Sequence, residues 1–156
     1  GINEVGMIPR FLDALDMDFF LVALRYTLLE QETLKAELPY CQRRNVGIVI
    51  GGVYNSGITA TGAVEGAKYN YADATPEIME RVRKIEAVCK DHDVPLAAAA
   101  LQFPLGHPSV AAVIPGAIQP DQVHQNVRNF RLPIPADLWA DLKDQGLVAR
   151  EAPVPN

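Results

Sequence analysis

At 156 residues, with 49% apolar and 21% charged positions, the chain is about one globular domain long and can build a sizeable core. A net charge of -5 without any Lys/Arg run counts against nucleic acid or an anionic membrane surface as the main partner, because such binders carry a basic face. The longest apolar runs, such as Val94 to Leu101, fall far short of a membrane span, and no stretch has the pattern of a signal peptide.

Asn3 has the chemistry of a helix cap, and Val5, Ile8, Leu12 and Leu15 follow at three- and four-residue spacing, so a helix is expected from about Glu4 to Leu15, disturbed at Pro9. Phe19 to Leu24 is a continuous apolar run, the pattern of a strand buried on both faces, and Arg25-Tyr26-Thr27 ends it. Leu34, Leu38 and Cys41 then mark a helix between Glu30 and Arg44, weakened at Pro39. Val46 to Gly52 reads as a second buried strand. The stretch from Val53 to Ala74 is rich in Gly, Asn, Thr and Tyr without a period, and reads as a long functional loop, since structureless loops beyond about 12–15 residues are uncommon unless they bind or gate something.

Thr75 caps and Pro76 opens a helix whose inward stripe is Ile78, Val82, Ile85 and Val88, ending near Asp93. Leu96 to Leu105 is apolar nearly all round, which predicts deep burial. Val110 to Ile114 is a third buried strand, followed by a Pro115-Gly116 turn and a helix from Pro120 to about Asn129. A last helix over Ala136 to Gln145 carries the only tryptophan, Trp139, and stops at Gly146, leaving a loose tail from Pro153 to Asn156. Cys41 and Cys89 lie far apart with no Cys or His neighbour, which predicts two buried reduced thiols in a cytoplasmic protein rather than a disulfide or a metal site. His92, His107 and His124 each read as structural.

Buried strands alternating with helices imply parallel strands covered by helices, in a doubly wound sheet or a barrel. In a barrel, the segments that follow the strands share the functional rim: Asn3, Arg25 to Thr27, Gly51 to Gly57, and Pro115 to Asn126. The last of these, a strand, a tight turn and a helix start, has the geometry of an anion site, though an ordinary strand-to-helix connection fits that stretch alone equally well.

Gly1-Ile2-Asn3, Tyr26 after Leu21-Val22-Ala23-Leu24-Arg25, Asn55-Ser56-Gly57, and Ile114-Pro115-Gly116-Ala117 followed by Gln125-Asn126 stand in the order of four stations in the second half of an aldo-keto reductase barrel. The chain resembles that family over nearly its whole length. The segments Leu21 to Gln31, Ile50 to Ile58 and Gly66 to Ala72 are similar to the branch containing the D-threo-aldose 1-dehydrogenases, also called L-fucose dehydrogenases. The resemblance implies an α/β fold, the C-terminal portion of a (β/α)8 barrel, in which residues 1–156 supply the end of strand five, strands six to eight and the C-terminal helices. The N-terminal half of the barrel is then expected as the partner that completes it.

For function, the resemblance implies hydride transfer between a nicotinamide dinucleotide, NAD or NADP, and an aldose or small aldehyde. Asn3 would hold the carboxamide, Ser56 and Gly57 the pyrophosphate, Gly116 and Ala117 the adenosine phosphate, and Gln122, Gln125 and Asn126 the ribose and adenine, with Asn55, Ile114 and Pro115 also expected among the cofactor-binding residues. The family's catalytic Asp, Tyr, Lys and His belong to the other half, upstream of Gly1, so no catalytic residue is expected here, and this portion alone is expected to be inactive. Four positions depart from the family: Ala23 replaces a carboxamide-binding Gln, Gly51 an aromatic that stacks on the nicotinamide, and Gly116 and Gln122 the basic residues that receive a 2′-phosphate. The last departure favours NAD, with Lys68 as the one residue able to compensate. Two other classes stay open: a regulatory subunit that binds the cofactor, and another phosphate-binding barrel enzyme. The absence of a strand-end Lys in Val46 to Gly52 or Val110 to Gly116 counts against a Schiff-base version of the latter.

Overall fold

The computed structural model describes residues 1–155, and Asn156 lies outside the described residues. In chain order the elements are α1 (Met7–Ala14), β1 (Phe19–Ala23), α2 (Glu37–Arg43), β2 (Gly47–Gly51), α3 (Ile58–Thr61), β3 (Lys68–Tyr69), β4 (Ala72–Asp73), α4 (Pro76–Asp91), α5 (Leu96–Gln102), β5 (Val110–Ile114), α6 (Pro120–Arg131) and α7 (Ala136–Asp144). β1, β2 and β5 form one sheet in that order, every pairing parallel, with Phe19 beside Gly47 and Gly51 beside both Ala23 and Ile114. Ile2 marks a fourth position: it bridges Val22 in parallel, donating its N–H to Leu21 O and accepting from Ala23 N–H, both at 2.8 Å.

The main departures from the sequence reading have local causes. Asn3 does not cap a helix; α1 begins after Gly6, at φ 88, whose N–H is taken by the buried Glu37 carboxylate. The Glu30 to Arg44 helix is broken into a 3-10 turn at Glu32–Leu34 and then α2, because the Thr27 hydroxyl and the Gln31 amide satisfy the backbone between Thr27 and Glu30 and hold a tight corner there. The Val53 to Ala74 stretch is folded rather than structureless, with the short α3 and a β3–β4 hairpin. α5 passes into a 3-10 turn, Phe103–Gly106, where Pro104 removes a donor. The tail packs: Ala152 is buried, and Val154 backbone lies so close to Gly106 that no Cβ would fit there.

The strands also differ from continuous burial. β1 and β2 alternate, sending Phe20, Val22, Ile48 and Ile50 under the helices while Leu21 and Val49 are half-buried on the opposite face. β5 is mostly exposed after Val110, because no strand lies on its outer side among the described residues. The core sits between sheet and helices, where Tyr26 packs on Phe103 at 5.5 Å between ring centroids and Phe103 on Trp139 at 6.2 Å. Thr75 caps α4 as its sequence predicts, accepting from Ile78 N–H at 3.4 Å.

Candidate cofactor site

All strands of the sheet run the same way, so the segments following β1, β2 and β5 emerge at one end. After β2 the chain needs a sharp exit. Gly52 provides its start at φ 62, where a Cβ would meet the Leu24 side chain at 2.7 Å, and Asn55, Ser56 and Gly57 continue in the left-handed region at φ 48, 61 and 103. Non-glycine residues in that region cost about 1–3 kcal/mol each, and the turn is held by Asn55 N–H to Gly52 O and Gly57 N–H to Tyr54 O, both 2.9 Å.

Opposite this turn, Pro115 to Ile118 leads into α6. Between them lies a cavity of about 440 Å3, lined by Ser56 and Gly57 on one side, Gly116 and Ala117 on the other, and Gln122, Gln125 and Asn126 from α6. Nothing stands within 4 Å of the place a Cβ would occupy on Gly57 or Gly116, so the backbone at both is open to a ligand. Tyr54 and Asn126 tie the two walls together: the Tyr54 hydroxyl donates to Asn126 Oδ1 at 2.7 Å, and Asn126 Nδ2 donates to Gly116 O at 3.4 Å.

Four of the residues expected in the site lie elsewhere. Asn3 stands at the neighbouring strand end, against a separate polar cavity with Glu4, Val5, Arg25 and Glu32. The Asn55 side chain is buried away from solvent, its amide nitrogen and oxygen without hydrogen-bond partners among the described residues. Ile114 is exposed at the end of β5, and Pro115 lines an adjoining apolar groove with Val123, Val127 and Phe130. Gly1, the start of the Gly1-Ile2-Asn3 station and the point upstream of which the catalytic residues are expected, lines neither cavity. It is exposed beside β1, where an added Cβ would stand 3.9 Å from Leu21 O, because the Ile2 bridge to Val22 lays this end of the chain along the strand rather than over the rim.

Gln122 spends its side-chain oxygen on the backbone, accepting from Ile118 N–H at 2.6 Å and Gln119 N–H at 3.1 Å, so these two donors are not free as an open helix start would leave them. Lys68 is paired with Asp73 at 2.5 Å. No cationic side chain lines the cavity. Burial pushes the Tyr26 and Tyr54 phenols above their ordinary value of 10, and a bond to Asp13 does the same for Tyr40, which makes all three poorer acids. Among the described residues there is no cluster of His, Cys, Asp and Glu fit to hold a metal, and no helix long and apolar enough to cross a membrane.

Sequence reasoning missed one member of this rim, Tyr71, and placed Arg25 on it without foreseeing its contacts. Tyr71, exposed over 80% of its surface, lines the cavity from the β3–β4 turn, with its N–H donated to Ser56 Oγ at 3.0 Å. The two-residue turn puts Asn70 and Tyr71 in the left-handed region, at φ 48 and 65, and the tyrosine in the place where a hairpin sequence usually has glycine left no signal to read. Arg25 joins Asn3 to that hairpin, a contact with no trace in sequence spacing.

Residues 2–145 match the sequence profile of the Aldo/keto reductase family. The chain belongs to that family. It is 42% identical over 149 residues to a pyridoxal 4-dehydrogenase of Microbacterium luteolum, covering 96% of this chain and 44% of that protein. It is 41% identical over 155 residues to a D-threo-aldose 1-dehydrogenase of a Pseudomonas species, covering 94% and 47%. The chain thus spans about half the length of the curated relatives it matches. An aldo-keto reductase of Bacillus halodurans superposes in its apo form with a TM-score of 0.68 over 96% of this chain and 49% of that one, and in its holo form with 0.70 over 100% and 51%, each at 24% identity. The parallel sheet and its covering helices are therefore part of the (β/α)8 barrel of a family of NAD(P)H-using oxidoreductases.

Proposed function

We propose that residues 1–156 are the cofactor-binding half of an NAD(P)-dependent aldo-keto reductase that transfers hydride between the nicotinamide and an aldose or a small aldehyde or alcohol, in the manner of a D-threo-aldose 1-dehydrogenase, and that an N-terminal half completes the barrel. The observation that carries this reading is the single cavity that brings the open backbone of Gly57 and Gly116 to face one another beside α6. Its volume lies in the usual range for small-molecule sites, about 300–1,000 Å3, and its mainly apolar lining carries a few amide side chains, Gln122, Gln125, Asn126 and Asn129, able to meet ribose and base polar atoms. The names of both relatives put the oxidation at an aldehyde-level carbon.

When bound, the nicotinamide would accept or donate the hydride. The chain's own residues hold and orient it. Ser56, Gly57, Gly116 and Ala117 contact the phosphates, Gln125 and Asn126 the ribose and adenine, and Asn3 the carboxamide from the neighbouring strand end. Asn55 acts through the turn it sits in, and Ile114 and Pro115 by ending β5 where the turn must start. The proton-transferring tyrosine is assigned to the other half, and Tyr26 and Tyr54, whose phenols burial holds above their ordinary value, are not suited to replace it. The chain alone is thus inactive in turnover. NAD is preferred to NADP, because no cation lines the cavity and Lys68, paired with Asp73 at the surface, stands outside the lining. The free, buried thiols Cys41 and Cys89 fit a reducing, cytoplasmic setting.

The test is an amide NMR titration of the 156-residue chain with NAD and NADP. Shifts confined to Ser56–Gly57, Tyr71 and Gly116–Asn126, with Asn3 responding to the nicotinamide, and larger for NAD at equal concentration, are expected; shifts only elsewhere, or none, would overturn the reading. Gln122→Arg is a poor companion variant because it removes the cap on Ile118 and Gln119. Gln125→Arg, on the same wall with its side chain free of recorded bonds, is expected to raise NADP affinity without that cost.

A further inference from the structure

Arg25 follows β1 by two residues, half-buried, at the point where three separate segments meet. Its Nε donates to the backbone oxygen of Asn3 at 2.7 Å, and its Nη1 donates to Asn70 Oδ1 at 3.3 Å. Arg25 is the one side chain that bonds to both of these segments. The strand end around Asn3 makes one bridge, Ile2 to Val22, and the β3–β4 hairpin has two paired positions, Lys68 with Asp73 and Tyr69 with Ala72. Asn70 and Tyr71 form the tip of that hairpin, both left-handed, at φ 48 and 65. Tyr71 in turn is fixed by its N–H to Ser56 Oγ and stands over the cavity, while Tyr69 donates its hydroxyl to Glu30 at the base.

We propose that Arg25 is a positioning residue that sets the two ends of the cofactor site together, one guanidinium fixing Asn3 at the nicotinamide end and the Tyr71 hairpin over the phosphate end. This rests on the reading of the cavity as a dinucleotide site. The role needs arginine. A planar fork offers donors in fixed directions to two acceptors at once, whereas a lysine ammonium is a point charge on a flexible stem, and Arg25→Lys keeps the charge while giving up the geometry. The neighbouring carboxylates do not take over the guanidinium: Glu32 lines the same polar cavity without an ion pair to Arg25, and Glu30 is engaged by Tyr69. The fork is therefore spent on backbone and amide oxygens, as a positioning contact should be.

The experiment compares the unaltered 156-residue chain with Arg25→Lys and Asn70→Ala. By amide hydrogen exchange, Arg25→Lys is expected to speed both Tyr71, which reports the hairpin, and Ala23, whose N–H is given to Ile2 O, by about tenfold, with Ile48 and Ile50 in β2 unchanged as the control for folding. Asn70→Ala is expected to speed Tyr71 alone. In binding, Arg25→Lys is expected to weaken NAD by about tenfold and ADP-ribose, which lacks the nicotinamide, by about threefold, the scale of one lost charge-assisted bond. Asn70→Ala should weaken the two ligands equally. If Arg25→Lys loosens only one of the two segments, or neither, or weakens NAD and ADP-ribose by the same factor, the coupling is refuted. Should the unaltered chain bind neither nucleotide, the dinucleotide reading falls, and the exchange measurement still decides whether Arg25 joins the two segments.

Discussion

The middle of the sheet and its margins are built from the same kinds of residue and end in opposite conditions. Ile48 and Ile50 on β2 are fully buried, whereas Ile114 at the end of β5 is 52% exposed, Phe130 on α6 54%, and Leu15 beyond α1 60%. Composition does not account for this. A parallel strand with its helix buries its apolar surface against a neighbour on each side, so a unit at the margin keeps half of its contacts unmade. Of the exposed apolar residues, Ile114, Val123, Val127 and Phe130 gather on β5 and α6, the side on which no further strand lies among the described residues.

The largest effect is expected in the middle. Ile50→Ala removes a buried side chain from the strand paired on both sides and should cost about 2–5 kcal/mol, a large share of the roughly 5–15 kcal/mol that stabilises an ordinary domain. Urea unfolding of the 156-residue chain measures it. A cost under about 1 kcal/mol would mean that the middle is packed no better than the margins.

That contrast also sets how much could be read from the sequence. The strands at Phe19, Val46 and Val110, the α4 cap at Thr75 and the parallel order were legible because each depends on local pattern or on the strand-helix rhythm. Burial of β5 was not, because its apolar run describes a complete barrel while exposure depends on which neighbours are present. The site divides the same way. Ser56, Gly57, Gly116, Ala117, Gln122, Gln125 and Asn126 converge as the motif order implied, since each directly follows a strand or lies one turn into a helix. Arg25, Tyr54 and Tyr71 act through contacts between segments far apart in sequence, and their side-chain directions cannot be inferred from spacing.

A smaller effect probes the end of the packed region. His107 is buried edge-on to Tyr26, and its Nδ1 accepts the Ser109 N–H at 3.1 Å, a bond that a protonated ring cannot accept. Burial holds its pKa below the ordinary 6.5, so the unfolded chain binds the proton first. Stability from this group is therefore present above pH 6.5 and lost as pH falls from there through the folded-state value. Urea midpoints at pH 7.5 and 5.5 should differ by less in His107→Gln than in the unaltered chain; equal differences would remove His107 from the account. Smaller again is Thr75→Ala at the start of α4, expected to cost about 0.5–1 kcal/mol, the low end for a lost cap because the bond is long at 3.4 Å.

The smallest expected effect is the sharpest test of the comparison. Phe130 is a large aromatic on α6, and a residue of its type in a core costs about 3–5 kcal/mol when cut to alanine. In the 156-residue chain its ring is half in water, bordering the apolar groove with Val123, Val127 and Leu105, so Phe130→Ala should change stability by less than about 0.5 kcal/mol, the usual range for a surface position. In a protein that also carries the N-terminal half, the same substitution should cost several times more, because a helix and strand would then lie against β5 and α6. The quantity to measure is the difference between the two costs, each from urea unfolding. Equal small costs would show that nothing covers this margin even in the longer protein. A large cost in the 156-residue chain that grows with protein concentration would show that the margin is already covered by a second copy, since mass action makes an oligomer's stability depend on concentration.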